Sequence, residues 1–247
     1  MPFVESHGER VHYRVEGSGP LVVLLHGMLV DGSSWGASGF VEVLRHHYRV
    51  ATVDSLGHGL SSRPVDLACY SQRRRADHLA AILDDLEVER AHVVGHSMGG
   101  WLAVGMAKHH PERLASLVVA GWNIVEGNRS LLPAGAAPFP FDRFLAWARS
   151  AAPALTAWIT PADEPALQAC WDALQELDGA EAAVLMCRAP TALWSGREDA
   201  YFNWMQAFAG RHDLPFLSTP GDHMGAILQH GPEAARHVGD FLAGTQN

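Results

Sequence analysis

The chain has 247 residues, 48% of them hydrophobic and 18% charged, which is enough for one sizeable core with or without an insertion. Lys and Arg number 18 against 27 Asp and Glu, a net charge of −9 that argues against nucleic acid or anionic membrane partners. The three cysteines, Cys69, Cys170 and Cys187, are scattered and form neither a disulfide framework nor a CxxC metal pattern. With no basic-then-apolar leader and no stretch of membrane-spanning length, a soluble, cytoplasmic protein is expected.

In chain order, residues 11–15 predict an early antiparallel strand, closed by the turn Glu16-Gly17-Ser18-Gly19-Pro20. Residues 21–25, Leu-Val-Val-Leu-Leu, are a continuous apolar run, the pattern of a strand buried on both faces. A helix over 35–46 and a strand over 49–53 follow, then a helix over 73–86, whose Arg73-Arg74-Arg75 run reads as a solvated face. Strand 92–94, helix 98–109 and strand 114–120 complete an alternation that predicts an α/β fold. Its central sheet is expected to be mostly parallel, with helices on both faces.

The alternation stops after Gly121. Residues 122–188 are rich in Ala, Pro and Trp, with helical stretches near 141–151 and 164–177 and no clean strand. Strand patterns resume at 190–194 and 215–218, and a helix over 226–242 closes the chain. The expected organisation is a core of residues 1–121 and 189–247, interrupted by a helical insertion over 122–188. Connections of that length are usually functional.

Gly95-His96-Ser97-Met98-Gly99-Gly100 lies between a predicted strand and a predicted helix. Serine at such a turn, with glycine two positions to either side, is the nucleophile-elbow pattern G-x-S-x-G. The sharp turn lifts the hydroxyl clear of the sheet, and the helix start aims free N–H groups at any anion forming there. The tandem pairs His46-His47 and His109-His110 do not suggest a metal site, because adjacent helical residues do not face one point. No nucleotide-binding glycine motif is present, and no metal or cofactor is expected.

Four motifs in order carry a resemblance: Leu25-His26-Gly27-Met28, Asp54-Ser55-Leu56-Gly57-His58-Gly59-Leu60-Ser61, the Gly95–Gly100 elbow, and Gly221-Asp222-His223. Over nearly its full length the chain resembles α/β-hydrolase-fold enzymes, in particular serine carboxylesterases and lactonases with a helical cap. The resemblance implies Ser97 as nucleophile and His223, on the loop after the last strand, as its base. It also implies Asp199, at the G-x-x-D position after the preceding strand, as the carboxylate that orients the base, with Glu198 and Asp222 as rivals. The backbone N–H groups of Met98 and, by resemblance, Met28 would form the oxyanion hole. His26 and His58 are expected to hold loops, and Asp54 to cap a turn.

By the same resemblance, 122–188 would be the cap that shapes a substrate pocket. Trp122, Trp147 and Met224 are candidate lining residues, and Met28, Met98 and Met224 make the site apolar. A small to medium uncharged ester or lactone is the expected substrate. The alternatives are C–C bond hydrolysis of diketone-type substrates by the same triad and a small-ligand sensor of the same fold. Family members that cleave halides or epoxides carry aspartate where Ser97 stands, and the only lysine, Lys108, lies about three turns along the helix.

Overall fold

The computed structural model describes residues 2–133 and 135–245. Eight strands, β1 (Phe3–Ser6), β2 (Glu9–Glu16), β3 (Leu21–Leu25), β4 (Arg49–Val53), β5 (Ala91–His96), β6 (Leu114–Ala120), β7 (Thr191–Gly196) and β8 (Phe216–Thr219), form one sheet. Its order is β1-β2-β4-β3-β5-β6-β7-β8. The first two pairings, β1 with β2 and β2 with β4, are antiparallel, and all the others are parallel.

The helices are α1 (Ser33–Ala37), α2 (Phe40–Leu44), α3 (Gln72–Asp85), α4 (Met98–His109), α5 (Phe141–Ala151), α6 (Pro153–Thr156), α7 (Glu164–Ala173), α8 (Ala180–Met186), α9 (Phe202–Arg211), α10 (Gly225–Leu228) and α11 (Gly231–Gly244). Side chains alternate across the pleat and divide the core in two. Val23, Leu25 and Val93 pack beneath α3, α4 and α9 on one face. Val22, Leu24 and Val94 meet Trp35, Phe40 and the apolar stripe of α11 on the other. Helix α4 is buried almost all round, as a helix apolar on every side must be.

Several elements differ from the sequence expectation. The predicted helix 35–46 is two short helices, because Gly39 takes φ 77° between them. The predicted helix 226–242 breaks into α10 and α11, with Pro232 in the first turn of α11, where its missing N–H costs no hydrogen bond. Strand β1 was not expected. It joins β2 through His7 and Gly8, both at positive φ, the backbone of a tight two-residue hairpin loop.

The arginine run is corrected too. Arg73 is exposed, Arg74 pairs with Glu9, and Arg75 is only 2% exposed. Successive helical residues point about 100° apart, so three in a row cannot share a solvated face. No described helix is long and apolar enough to cross a membrane. Among the described residues the three cysteines are free thiols.

Candidate active site

The chain leaves β3 toward β4 on one side and returns to β5 on the other. The carboxyl ends of β3 and β5 therefore flank a switch point, where open α/β sheets leave a crevice. Ser97 stands there, between β5 and α4, at φ 58° and ψ −120°. Its N–H donates to the Ala120 carbonyl at 2.8 Å, and its carbonyl accepts from Trp101 N–H at 3.1 Å. A Cβ on Gly95 would lie 1.9 Å from the Gly99 carbonyl oxygen, and one on Gly99 would lie 2.0 Å from that of Leu25. The two glycines of the elbow are steric requirements of this turn.

Asp199 follows β7 and His223 follows β8, both at the same edge of the sheet. His223 Nε2 lies 2.9 Å from Ser97 Oγ, and His223 Nδ1 lies 2.9 Å from Asp199 Oδ2. A carboxylate only accepts, so Nδ1 carries the proton and Nε2 is left to accept from the serine hydroxyl. Burial works to raise the Asp199 pKa, but the hydrogen bond and charge of His223 and the Tyr201 N–H hold it below the ordinary value. The carboxylate stays ionised beneath the ring.

The rival carboxylates face elsewhere. Glu198 accepts from the Gly221 N–H, and Asp222 accepts from the N–H groups of Met224 and Gly225. Asp54 holds its turn as expected, accepting from Gly32 N–H and Leu60 N–H, and it also meets His12 at 2.8 Å.

Met98 directly follows Ser97, and Met28 follows Gly27 in the loop after β3. A Cβ on Gly27 would come within 3.6 Å of Ser97 Oγ, so the strand-end loop after β3 lies against the nucleophile position. Neither the Met28 nor the Met98 N–H has a protein acceptor among the described residues. His26 and His58 hold loops. His26 Nε2 accepts from Ser55 N–H and its Nδ1 donates to the Gly27 carbonyl, whereas His58 Nε2 accepts from Leu29 N–H. Burial keeps both below the usual histidine range, His58 well below, so both rings are neutral acceptors.

Of the expected pocket residues, Met224 is half-buried beside His223. Trp122 is only 2% exposed and packs against Tyr201 and Gly127, backing the site as core. Trp147 is corrected: it is 62% exposed and stacks on Phe144. Helix α5 buries Phe141, Leu145 and Ala148, a stripe at spacings of four and three that leaves Trp147 off the buried face.

The sequence reading missed His96 and Tyr201. The His96 ring packs 4.6 Å from that of His223, and its buried Nε2 has no hydrogen-bond partner among the described residues. Burial and then the neighbouring imidazole push its pKa down to about 3. The only signal was its position inside the elbow. His96, Asp199 and His223 are the one described group with three metal-type ligand atoms within 4.8 Å of one another. Both ring nitrogens of His223 are already engaged by Asp199 and Ser97, so this group does not form a ready ion site.

The segment between β6 and β7 is tied to this edge of the sheet. Trp158 Nε1 donates to the Leu29 carbonyl, Trp101 Nε1 donates to the Glu176 carbonyl, and Arg63 pairs with Asp163.

Residues 20–135 match the α/β hydrolase fold family model. The chain is 32% identical over 265 aligned residues to a 2-hydroxymuconate semialdehyde hydrolase of Pseudomonas sp. (strain CF600), covering 96% of this chain and 91% of that protein. The chain belongs to the α/β-hydrolase fold family. Among solved structures, this hydrolase-family chain is similar to an enol-lactonase from Burkholderia xenovorans LB400, with TM-score 0.78 and 19% identity over 98% of this chain and 100% of that one. It is also similar to a thermophilic esterase from Thermogutta terrifontis, with TM-score 0.79 and 20% identity over 100% and 99% of the two chains. At those identities the likeness is one of fold.

Proposed function

We propose that this family member is a serine hydrolase that cleaves a small to medium, uncharged ester or lactone through an acyl-enzyme on Ser97. The observation that carries this reading is the continuous relay Ser97–His223–Asp199, with two steps of 2.9 Å ending on a buried carboxylate. Ser97 Oγ attacks the carbonyl carbon as its proton passes to His223 Nε2. Asp199 stabilises the imidazolium and keeps Nδ1 protonated. The carbonyl oxygen gains the negative charge and is received by the N–H groups of Met28 and Met98. His223 returns the proton to the leaving alcohol and then activates water, which releases the acid and restores the serine. No cofactor enters this sequence.

Residues 122–188 act as the cap in this reading, with the substrate held between the cap and the strand ends. Met28 and Met224, on the loops that carry the oxyanion candidate and the base, favour an apolar substrate, whereas the Met98 side chain is buried with its Sδ against Arg75 and Cys170. With a net charge of −9, the partner is a small molecule and not nucleic acid or an anionic membrane.

The near full-length similarity to a 2-hydroxymuconate semialdehyde hydrolase favours a second reading, C–C bond hydrolysis. Ser97 would attack the carbonyl carbon, an aldehyde in the semialdehyde, in the same way. The leaving carbon would take the bonding pair as an enolate-stabilised carbanion and then a proton, and water would then free the acyl group from the serine.

The test sets p-nitrophenyl esters from acetyl to dodecanoyl beside 2-hydroxymuconate semialdehyde, with Ser97→Ala as control. Serine-dependent ester turnover that peaks at one chain length supports the first reading. Faster turnover of the semialdehyde supports the second. Undiminished turnover in Ser97→Ala overturns both.

A further inference from the structure

Leu29, one residue beyond the oxyanion candidate Met28, has φ 66°. Of the non-glycine residues at positive φ among those described, it is the only one with a branched apolar side chain, the kind of residue least suited to that region. A backbone held there needs outside support, and Leu29 has it on both polar groups. Its N–H donates to His58 Nε2 at 3.2 Å, and its carbonyl accepts from Trp158 Nε1 at 2.9 Å.

The two supports come from different parts of the molecule. His58 lies on the loop after β4, and Trp158 lies in the insertion between α6 and α7. Their rings pack 6.3 Å apart, and the Arg63 guanidinium sits 5.8 Å over Trp158 while pairing with Asp163 at 3.2 Å.

The hold extends to Met28. The carbonyl of the Gly27–Met28 peptide accepts from His26 Nδ1 at 2.7 Å, so the Met28 N–H at the other end of that planar unit points the opposite way. Gly27 itself lies against Ser97. Met28 is therefore fixed on one side by His26 and on the other by the two bonds at Leu29. Of these three holds, Trp158 alone belongs to the insertion.

We propose that Trp158 is a positioning residue: its indole N–H, by holding the Leu29 carbonyl, keeps the Met28 N–H aimed at the oxyanion that develops when Ser97 is acylated. The insertion then contributes to the chemical step itself as well as to the shape of the pocket. This rests on the reading of Ser97 as nucleophile and Met28 as an oxyanion donor.

The test uses the full chain and a fluorophosphonate, whose phosphoryl oxygen takes up negative charge in the same hole and which needs no knowledge of the natural substrate. Trp158→Phe keeps an aromatic ring and removes the N–H. Its limiting rate of Ser97 phosphonylation should fall about tenfold to a hundredfold, while the half-saturating reagent concentration stays within about twofold of wild type. At the other hold, His58→Leu should slow the reaction in the same way. His58→Gln, whose amide oxygen can still accept from the Leu29 N–H, should recover much of the rate.

A folded Trp158→Phe with the wild-type limiting rate overturns the proposal, as does a loss confined to the half-saturating concentration. Should Trp158→Phe not fold, equal rates in His58→Leu and His58→Gln overturn it. A wild-type protein that is not labelled at Ser97 refutes the underlying reading, and this inference with it.

Discussion

Asp199 reaches His223 Nδ1 at 2.9 Å, whereas Asp222, adjacent to that histidine in sequence, turns its carboxylate back onto the N–H groups of Met224 and Gly225. Sequence proximity therefore misleads here, and position after β7 does not. Replacing Asp199 by Asn puts an amide where only an acceptor serves and favours the wrong imidazole tautomer. A loss of about 10⁴-fold in kcat is expected. Glu198→Gln leaves the relay intact and should cost less than about tenfold. Steady-state kinetics on whichever substrate the wild type turns over checks both, and equal losses would move the orienting role to Glu198. Ser97, Asp199 and His223 were legible as candidates because each sits in a motif at a strand end. His96 was not, because in a chain with 15 histidines only its contact with the His223 ring distinguishes it.

Helix α5 shows what an apolar sequence pattern leaves open at the scale of an element. Its aromatic residues Phe141, Phe144 and Trp147 fall at three-residue spacing, yet only Phe141 is buried. Each step of three falls short of a full turn by about 60°, so the row drifts off the packed face. Trp122, just after β6, is 2% exposed and packs against Tyr201 and Gly127. Trp122→Ala should therefore lower stability by about 3–5 kcal/mol and Trp147→Ala by less than about 1 kcal/mol. Urea denaturation measures the two, and comparable losses would mean that Trp147 is covered in solution. The same logic moved Arg75 from a solvated face to the core, where its guanidinium lies near Met98 Sδ and Cys170 Sγ.

The whole molecule encloses several histidines as neutral groups. His26, His58, His78 and His96 are all buried, and burial lowers the pKa of each, to about 4 for His78 and about 3 for His96. Above the unfolded histidine value of about 6.5 these groups are neutral in both states and contribute no pH dependence. As pH falls below that value, the unfolded chain binds protons that the folded chain refuses. Stability is then lost progressively until the folded values are reached, by up to about 1.4 kcal/mol per pH unit for each histidine. The carboxylates held below their ordinary pKa, Glu9, Asp77, Asp163 and Asp199, add to the loss only at lower pH. Urea unfolding at about pH 7.5, 6 and 5 should show stability level and then falling. A level profile down to about pH 5 would falsify the neutral-burial account.

The sequence by itself determined the order of strands and helices around the elbow, the parallel core and the chemical groups on offer at the strand ends. Hydrophobic periodicity and glycine sterics act over a few residues, and the Gly95–Gly99 turn is a local necessity. The resemblance pointed to Asp199, and the tertiary structure brings it onto His223, a residue 126 positions from Ser97, while Glu198 and Asp222 turn away. The tertiary structure also decided that Leu29 is held by partners 29 and 129 residues away. Periodicity fixes which side of an element turns inward. Which groups then meet across the core depends on how the sheet, the loops at its carboxyl edge and the insertion pack together.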